Sequence, residues 1–147
     1  MTSYTQEWLC LQIVENAADA IIFADEEGII RLWNSGAEAI FGYSAEEAMG
    51  ETLDLIVPEK LRERHWEGYR KVMATGTTRY GSDVLAVPAI KKDSSRLSVE
   101  FTIVLLKDDT GKPQGTAAIL RDVTERWQRE KELKKRLAEL EEREKNM

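Results

Sequence analysis

The stretch from Asp19 to Gly50, DAIIFADEEGIIRLWNSGAEAIFGYSAEEAMG, decides the fold of this chain. The run through Ala20, Ile22 and Ala24 has the two-residue period of a strand. It stops at Asp25-Glu26-Glu27-Gly28, a turn cluster in which Gly28 can adopt a positive φ. A second apolar run, Ile29 to Trp33, follows at hairpin spacing. Asn34 and Ser35 then stand where a helix cap belongs, ahead of inward-facing Ala37, Ile40 and Phe41. Gly42 interrupts that helix. Ser44-Ala45-Glu46-Glu47 restarts one with a capping box, a serine and a glutamate satisfying each other's free amides, and Gly50 closes it.

The rest of the chain continues in the same dense order. Pro58 opens a helix running to about Ala74, since the N–H that proline lacks has no partner in a first turn. Thr75-Gly76 ends it. Residues 78–90 read as a strand in which Pro88 marks an edge or a bulge. Lys91 to Ser95 forms a polar hairpin turn, and Leu97, Val99, Phe101, Ile103 and Leu105 alternate along a half-buried strand. Asp108 to Pro113 turns the chain into a last strand, GTAAILRDVT, from Gly115 to Thr124.

This succession resembles a PAS domain, a small sensory module, over Asn16 to Thr124. The resemblance implies an α+β fold: a five-stranded antiparallel sheet with helices over one face, enclosing a pocket that can hold a ligand. It divides the chain into a leader helix over 1–15, the PAS domain over 16–124 and a signalling helix over 125–147.

Composition narrows the function classes. The chain has 147 residues and a net charge of −6, which disfavours nucleic acid, whose phosphates require a basic surface. No apolar run approaches the ~18–20 residues of a membrane span, and no secretory leader is visible. The single cysteine, Cys10, excludes an intrachain disulfide and a thiolate metal cluster. These features predict a cytoplasmic protein. No nucleophile–histidine–acid set, Walker loop or kinase signature can be assembled, so a non-enzymatic role is expected.

The two flanks predict self-association. Trp8, Leu9, Leu11 and Ile13 give the leader an amphipathic reading, as in helices that pack on a neighbour or a twin subunit. From Glu125 onward Leu133, Leu137 and Leu140 share a heptad seam with Val123, although Arg126 and Glu130 occupy intervening core positions. A short parallel coiled coil in a homodimer is the expectation. Thr124 is expected to cap this helix through its hydroxyl, and Asp122 to fix its exit angle.

His65 is the only histidine. At helical spacing it shares a side with Leu61, Gly68, Tyr69, Val72 and Met73. An imidazole on an apolar wall, with space before it where Gly68 has no side chain, suits axial ligation of haem iron. The segment Leu61 to Lys71 resembles the haem-bearing helix of the haem-PAS oxygen and gas sensors (FixL-like). The resemblance implies haem b with His65 as the metal ligand, Lys71 and Arg79 toward the propionates, and Leu85, Val87, Phe101 and Ile103 on the distal side. It also implies a diatomic gas as signal and a kinase or cyclase as output partner. The family's distal arginine falls on Leu85 here and its distal methionine on Asp83. An apolar distal wall offers dioxygen no donor, so carbon monoxide loses less.

The alternative is a non-haem PAS module that binds a small metabolite or serves only dimerisation and relay. A flavin photoadduct is excluded, because the helix Ala37 to Phe41 has no cysteine and Cys10 lies on the leader. Trp33 reads as a packing residue. Trp66 falls off the apolar face and is expected to cover the outside of the domain or a partner.

Overall fold

The computed structural model describes residues 3–78 and 84–147. Its elements run α1 (Gln6–Asn16), β1 (Ala20–Asp25), β2 (Ile30–Trp33), α2 (Ser35–Phe41), α3 (Ala45–Ala48), α4 (Arg62–Thr75), β3 (Leu85–Ile90), β4 (Arg96–Lys107), β5 (Pro113–Asp122) and α5 (Thr124–Lys145). The strands form one antiparallel sheet in the order β2-β1-β5-β4-β3, so the first and last strands lie side by side at its centre. This is the expected α+β arrangement, with the helical segment between β2 and β3 over one face.

Local chemistry explains the element boundaries. Gly28, at φ 79°, turns β1 into β2. Asn34 caps α2 by accepting the Ala37 amide, and left-handed Gly42 ends that helix. The capping box of Ser44 and Glu47 forms as read, with both bonds present. Pro58 heads a single 3-10 turn, Glu59–Leu61, and the regular helix begins only at Arg62. Left-handed Gly76 closes α4.

Burial follows strand alternation. Ala20, Ile22 and Ala24 are buried on the inner face, where they meet Phe41, Ile30, Val99, Leu97 and Leu120. Trp33 is buried, its indole N–H donating to the Tyr43 carbonyl at 3.0 Å, and so is a packing residue. The strand expected over residues 78–90 is described from Leu85; Arg79 and Asp83 lie outside the described residues. Pro88 sits in β3, an edge strand, where its missing N–H breaks no interior ladder.

Three sequence expectations need correction. Trp66 is not on the outside: it packs half-buried against the core, its indole N–H donating to Asp54 Oδ1 at 2.6 Å. The leader is not one apolar stripe, because Trp8, Leu11, Leu9 and Ile13 all stay exposed on different sides of α1. Thr124 does not cap α5 with its hydroxyl. That oxygen accepts the Ser98 amide at 2.9 Å, while Asp122 Oδ1 takes the Thr124 amide at 3.0 Å.

Candidate functional site

α4 places the candidate ligand residues. Leu61, just ahead of it, and His65, Val72 and Met73 on it are half-buried, and Tyr69 is buried. The expected face is therefore the packed face, with one exception. Gly68 is exposed, with nothing within 4 Å of where a Cβ would stand, so it lines solvent and opens no space before the histidine. Lys71 is exposed as well, on the solvent side of the helix.

Tyr69 anchors the helix to the sheet. Its hydroxyl lies 3.1 Å from the Ala24 carbonyl and 2.5 Å from that of Asp25, at the end of β1. Burial raises the phenol's pKa, keeping it a neutral donor. Trp66 completes the joint. A Cβ on Gly28 would come 2.1 Å from its ring, so only glycine lets the indole lie against the β1–β2 turn. His65, Trp66 and Tyr69 form one aromatic cluster, with ring centroids 4.9 to 6.0 Å apart.

Within that cluster one atom has no partner. His65 Nδ1 is enclosed and makes no hydrogen bond. Burial lowers the imidazole pKa, opposed by the charge of the Asp54 carboxylate, and the net effect favours the neutral ring. A neutral imidazole is the form that ligates a metal. An enclosed ring nitrogen without a partner is an exception among buried polar groups.

The register brings all four distal candidates onto the inner face. Leu85 pairs with Phe101, Phe101 with Leu120, and Leu120 with Ala20. Ile103 pairs with Ala118 and Ala118 with Ile22 in the next row. Directly paired residues project from the same face, so Leu85, Phe101 and Ile103 share that of buried Ala20 and Ile22. Val87 is paired with buried Val99 yet remains 39% exposed at the open edge.

The residues fit a haem in part. Burial favours the neutral form of the histidine, which lies on an apolar wall and is short of one partner, and the opposing side chains are apolar. Neither groove described in the structure is lined by His65, Leu85, Phe101 or Ile103. One groove, of about 380 Å³, runs between Tyr43, Thr52, Asp54, Arg62, Lys91, Lys92 and Ser94 on the other side of α4's first turn. Sequence reasoning passed over these residues. They come from four segments, and only the folded chain sets Arg62 beside the β3–β4 turn.

The model of the PAS fold matches residues 14–128. The chain belongs to the PAS family. It is 29% identical over 136 residues to the sensor protein FixL of Bradyrhizobium diazoefficiens, covering 92% of this chain and 26% of that protein. It is 29% identical over 101 residues to the oxygen sensor protein DosP of Escherichia coli, covering 60% of this chain and 13% of that one. The PAS chain thus spans about a quarter or less of these relatives. Among solved structures, a PAS domain from Colwellia psychrerythraea superposes with a TM-score of 0.70 at 23% identity, over 80% of this chain and 96% of the other. That likeness shows the fold. Among the described residues no helix is long and apolar enough to cross a membrane.

Proposed function

We propose that this PAS module senses a diatomic gas through haem b held by His65, and passes its state through α5 in a homodimer. The observation that carries the reading is the partly enclosed imidazole whose Nδ1 has no partner, with burial favouring its neutral form. Its likeness to an oxygen sensor protein supports the same reading. Leu85, Phe101 and Ile103 would line the opposite side. Bound haem would supply the iron that takes the gas; His65 would hold it, and Leu85, Phe101 and Ile103 would keep the opposite wall apolar. The module itself carries no reaction and works in the cytoplasm, and a kinase or cyclase receives its output.

A visible spectrum of protein purified from haem-supplied cells tests this. A Soret band abolished in His65→Ala is expected; colourless protein, or a band retained in the variant, overturns the assignment. Leu85→Arg, which restores a donor to the apolar wall, should raise dioxygen affinity more than carbon monoxide affinity.

The groove beside Arg62, Lys91 and Lys92 favours a second reading, a non-haem module taking a small polar metabolite. Colourless protein whose melting temperature rises with such a compound, and no longer does so in Arg62→Ala, would support it.

A further inference from the structure

The groove between Tyr43 and Lys92 holds two opposite charges that no ion pair in the described chain takes up. One bank is the segment from Glu51 through the 3-10 turn Leu53–Leu55, and it carries the carboxylates of Glu51 and Asp54. The other bank is the β3–β4 turn, which carries Lys91, Lys92 and Ser94. Some of these charges are spent. Lys92 is paired with Glu47 at 2.5 Å, and the Asp54 carboxylate takes the Trp66 indole N–H. Lys91 and Glu51 are the exceptions: among the described residues neither side chain makes an ion pair or a hydrogen bond. Lys91 acts on Asp93 of its own turn only through its field. The two do not pair with each other, so the groove keeps a positive and a negative group apart.

Arg62 adds a fixed donor. Its Nε donates to the Val57 carbonyl at 3.0 Å and its Nη2 to the Asp54 carbonyl at 3.2 Å, which holds the guanidinium plane and leaves Nη1 unspent. The Asp54 carboxylate stands 4.0 Å from Nε. Half-buried Tyr43, Leu55 and Ile90 complete the lining with carbon. The volume of about 380 Å³ falls within the range of small-molecule sites. A simple anion would meet repulsion from Glu51, and a simple cation would meet it from Lys91 and Arg62. A ligand carrying both signs meets neither.

We propose that this groove binds a free α-amino acid with an apolar side chain. Lys91 and Arg62 receive its carboxylate, Glu51 its ammonium group, and Leu55 and Ile90 its side chain. Both polar contacts are charge-assisted, the strong class of hydrogen bond. The inference rests on reading this groove as a metabolite site.

Calorimetric titration of the chain with L-leucine, L-valine, L-methionine and L-phenylalanine tests it. Whichever binds is followed by the amide and the 2-hydroxy acid of the same skeleton. Saturable binding of at least one amino acid is expected. The amide, which lacks the carboxylate, and the hydroxy acid, which lacks the ammonium group, should each bind at least about tenfold more weakly. Glu51→Gln, at an exposed side chain, should weaken the amino acid at least about tenfold and not weaken the hydroxy acid. Lys91→Gln should weaken both and not weaken the amide, and both variants should keep the parent's circular dichroism. If the hydroxy acid binds as tightly as the amino acid and Glu51→Gln moves neither, the metabolite groove stands and the amino-acid assignment is overturned. Binding by none of the four overturns the assignment outright. A melting temperature that still rises with another polar compound, and not in Arg62→Ala, would then show the groove reading surviving it.

Discussion

The side-chain amide of Asn34 donates to the carbonyl of Val14 at 2.8 Å, tying the leader helix to the sensory core. Asn34 is completely buried, and its other bonds converge on the same joint. Its Oδ1 accepts the amides of Ile21 at 2.8 Å and Ala37 at 3.0 Å, and its Nδ2 also reaches the Asp19 carbonyl at 3.1 Å. One residue therefore caps α2, aligns β1 and occupies a carbonyl that the end of α1 would otherwise leave unpaired.

Asn34→Ala should cost about 3 kcal/mol of stability, because a buried amide, a half-buried one and at least one carbonyl lose their partner. Asn34→Asp keeps both accepted bonds and loses the donated ones. It should leave the core melting cooperatively while amide exchange quickens at the C-terminal end of α1. Unchanged exchange there would show that the leader is held by something else.

Gly28 and Trp66 make a second joint that can be tested as a pair. At φ 79° and with the indole 2.1 Å from a Cβ position, Gly28→Ala is opposed by both conformation and space. A loss of about 2–4 kcal/mol is expected. Trp66→Ala removes the clash but not the left-handed strain, so the double variant should be less destabilised than the sum of the singles. Strict additivity in denaturant titrations would refute the contact.

Both joints show how much the sequence discloses. Asn34 was legible as a cap because capping is local, written in the helix that follows. Its grip on Val14, twenty residues back, was not, because no periodicity records which carbonyl a buried amide will find. The strands, turns and left-handed glycines were readable for the same local reason. Trp66 was misplaced because helical spacing ranks residues by one face, whereas its partner is a glycine in a distant turn that offers no side chain to notice. His65 was legible as a half-buried imidazole on the packed face; that Nδ1 would lack a partner was a property of the assembled cluster. Gly68 was misread as space in front of the histidine, since a missing side chain says nothing about which way it opens.

His65 should titrate below its ordinary value of 6.5, because burial disfavours the imidazolium. The unfolded chain then binds the proton more readily than the folded one. Stability is fully present above about pH 6.5, and falls as pH drops from there to the depressed folded pKa. As the only histidine, it gives an unambiguous NMR titration. His65→Phe should flatten the stability profile in that window; a midpoint at or above 6.5 in the folded parent would contradict the burial argument.

The last prediction concerns the exit from sheet to helix. Asp122 Oδ1 accepts both the amide of Thr124 at 3.0 Å and its hydroxyl at 2.6 Å, and so orients that hydroxyl to receive the Ser98 amide from β4. Arg126 pairs with Glu100 one strand residue pair further along, a second tie between α5 and β4. Beyond these contacts α5 is exposed throughout, so its direction is set by its first turn. Two such ties, each worth about 1 kcal/mol, allow alternative helix directions within a few kcal/mol, the range in which a ligand can shift a population. Asp122→Ala removes the bond to the Thr124 amide and frees the hydroxyl, while the inner face of the sheet is untouched. The core should melt within about 1 kcal/mol of the parent, and α5 should become more mobile relative to the sheet. Spin labels at Leu133 in both copies would report a broader distance distribution in the variant than in the parent. In the haem-loaded protein, carbon monoxide should change that distribution in the parent and not in Asp122→Ala. An equal change in both would show that Asp122 does not carry the signal into α5.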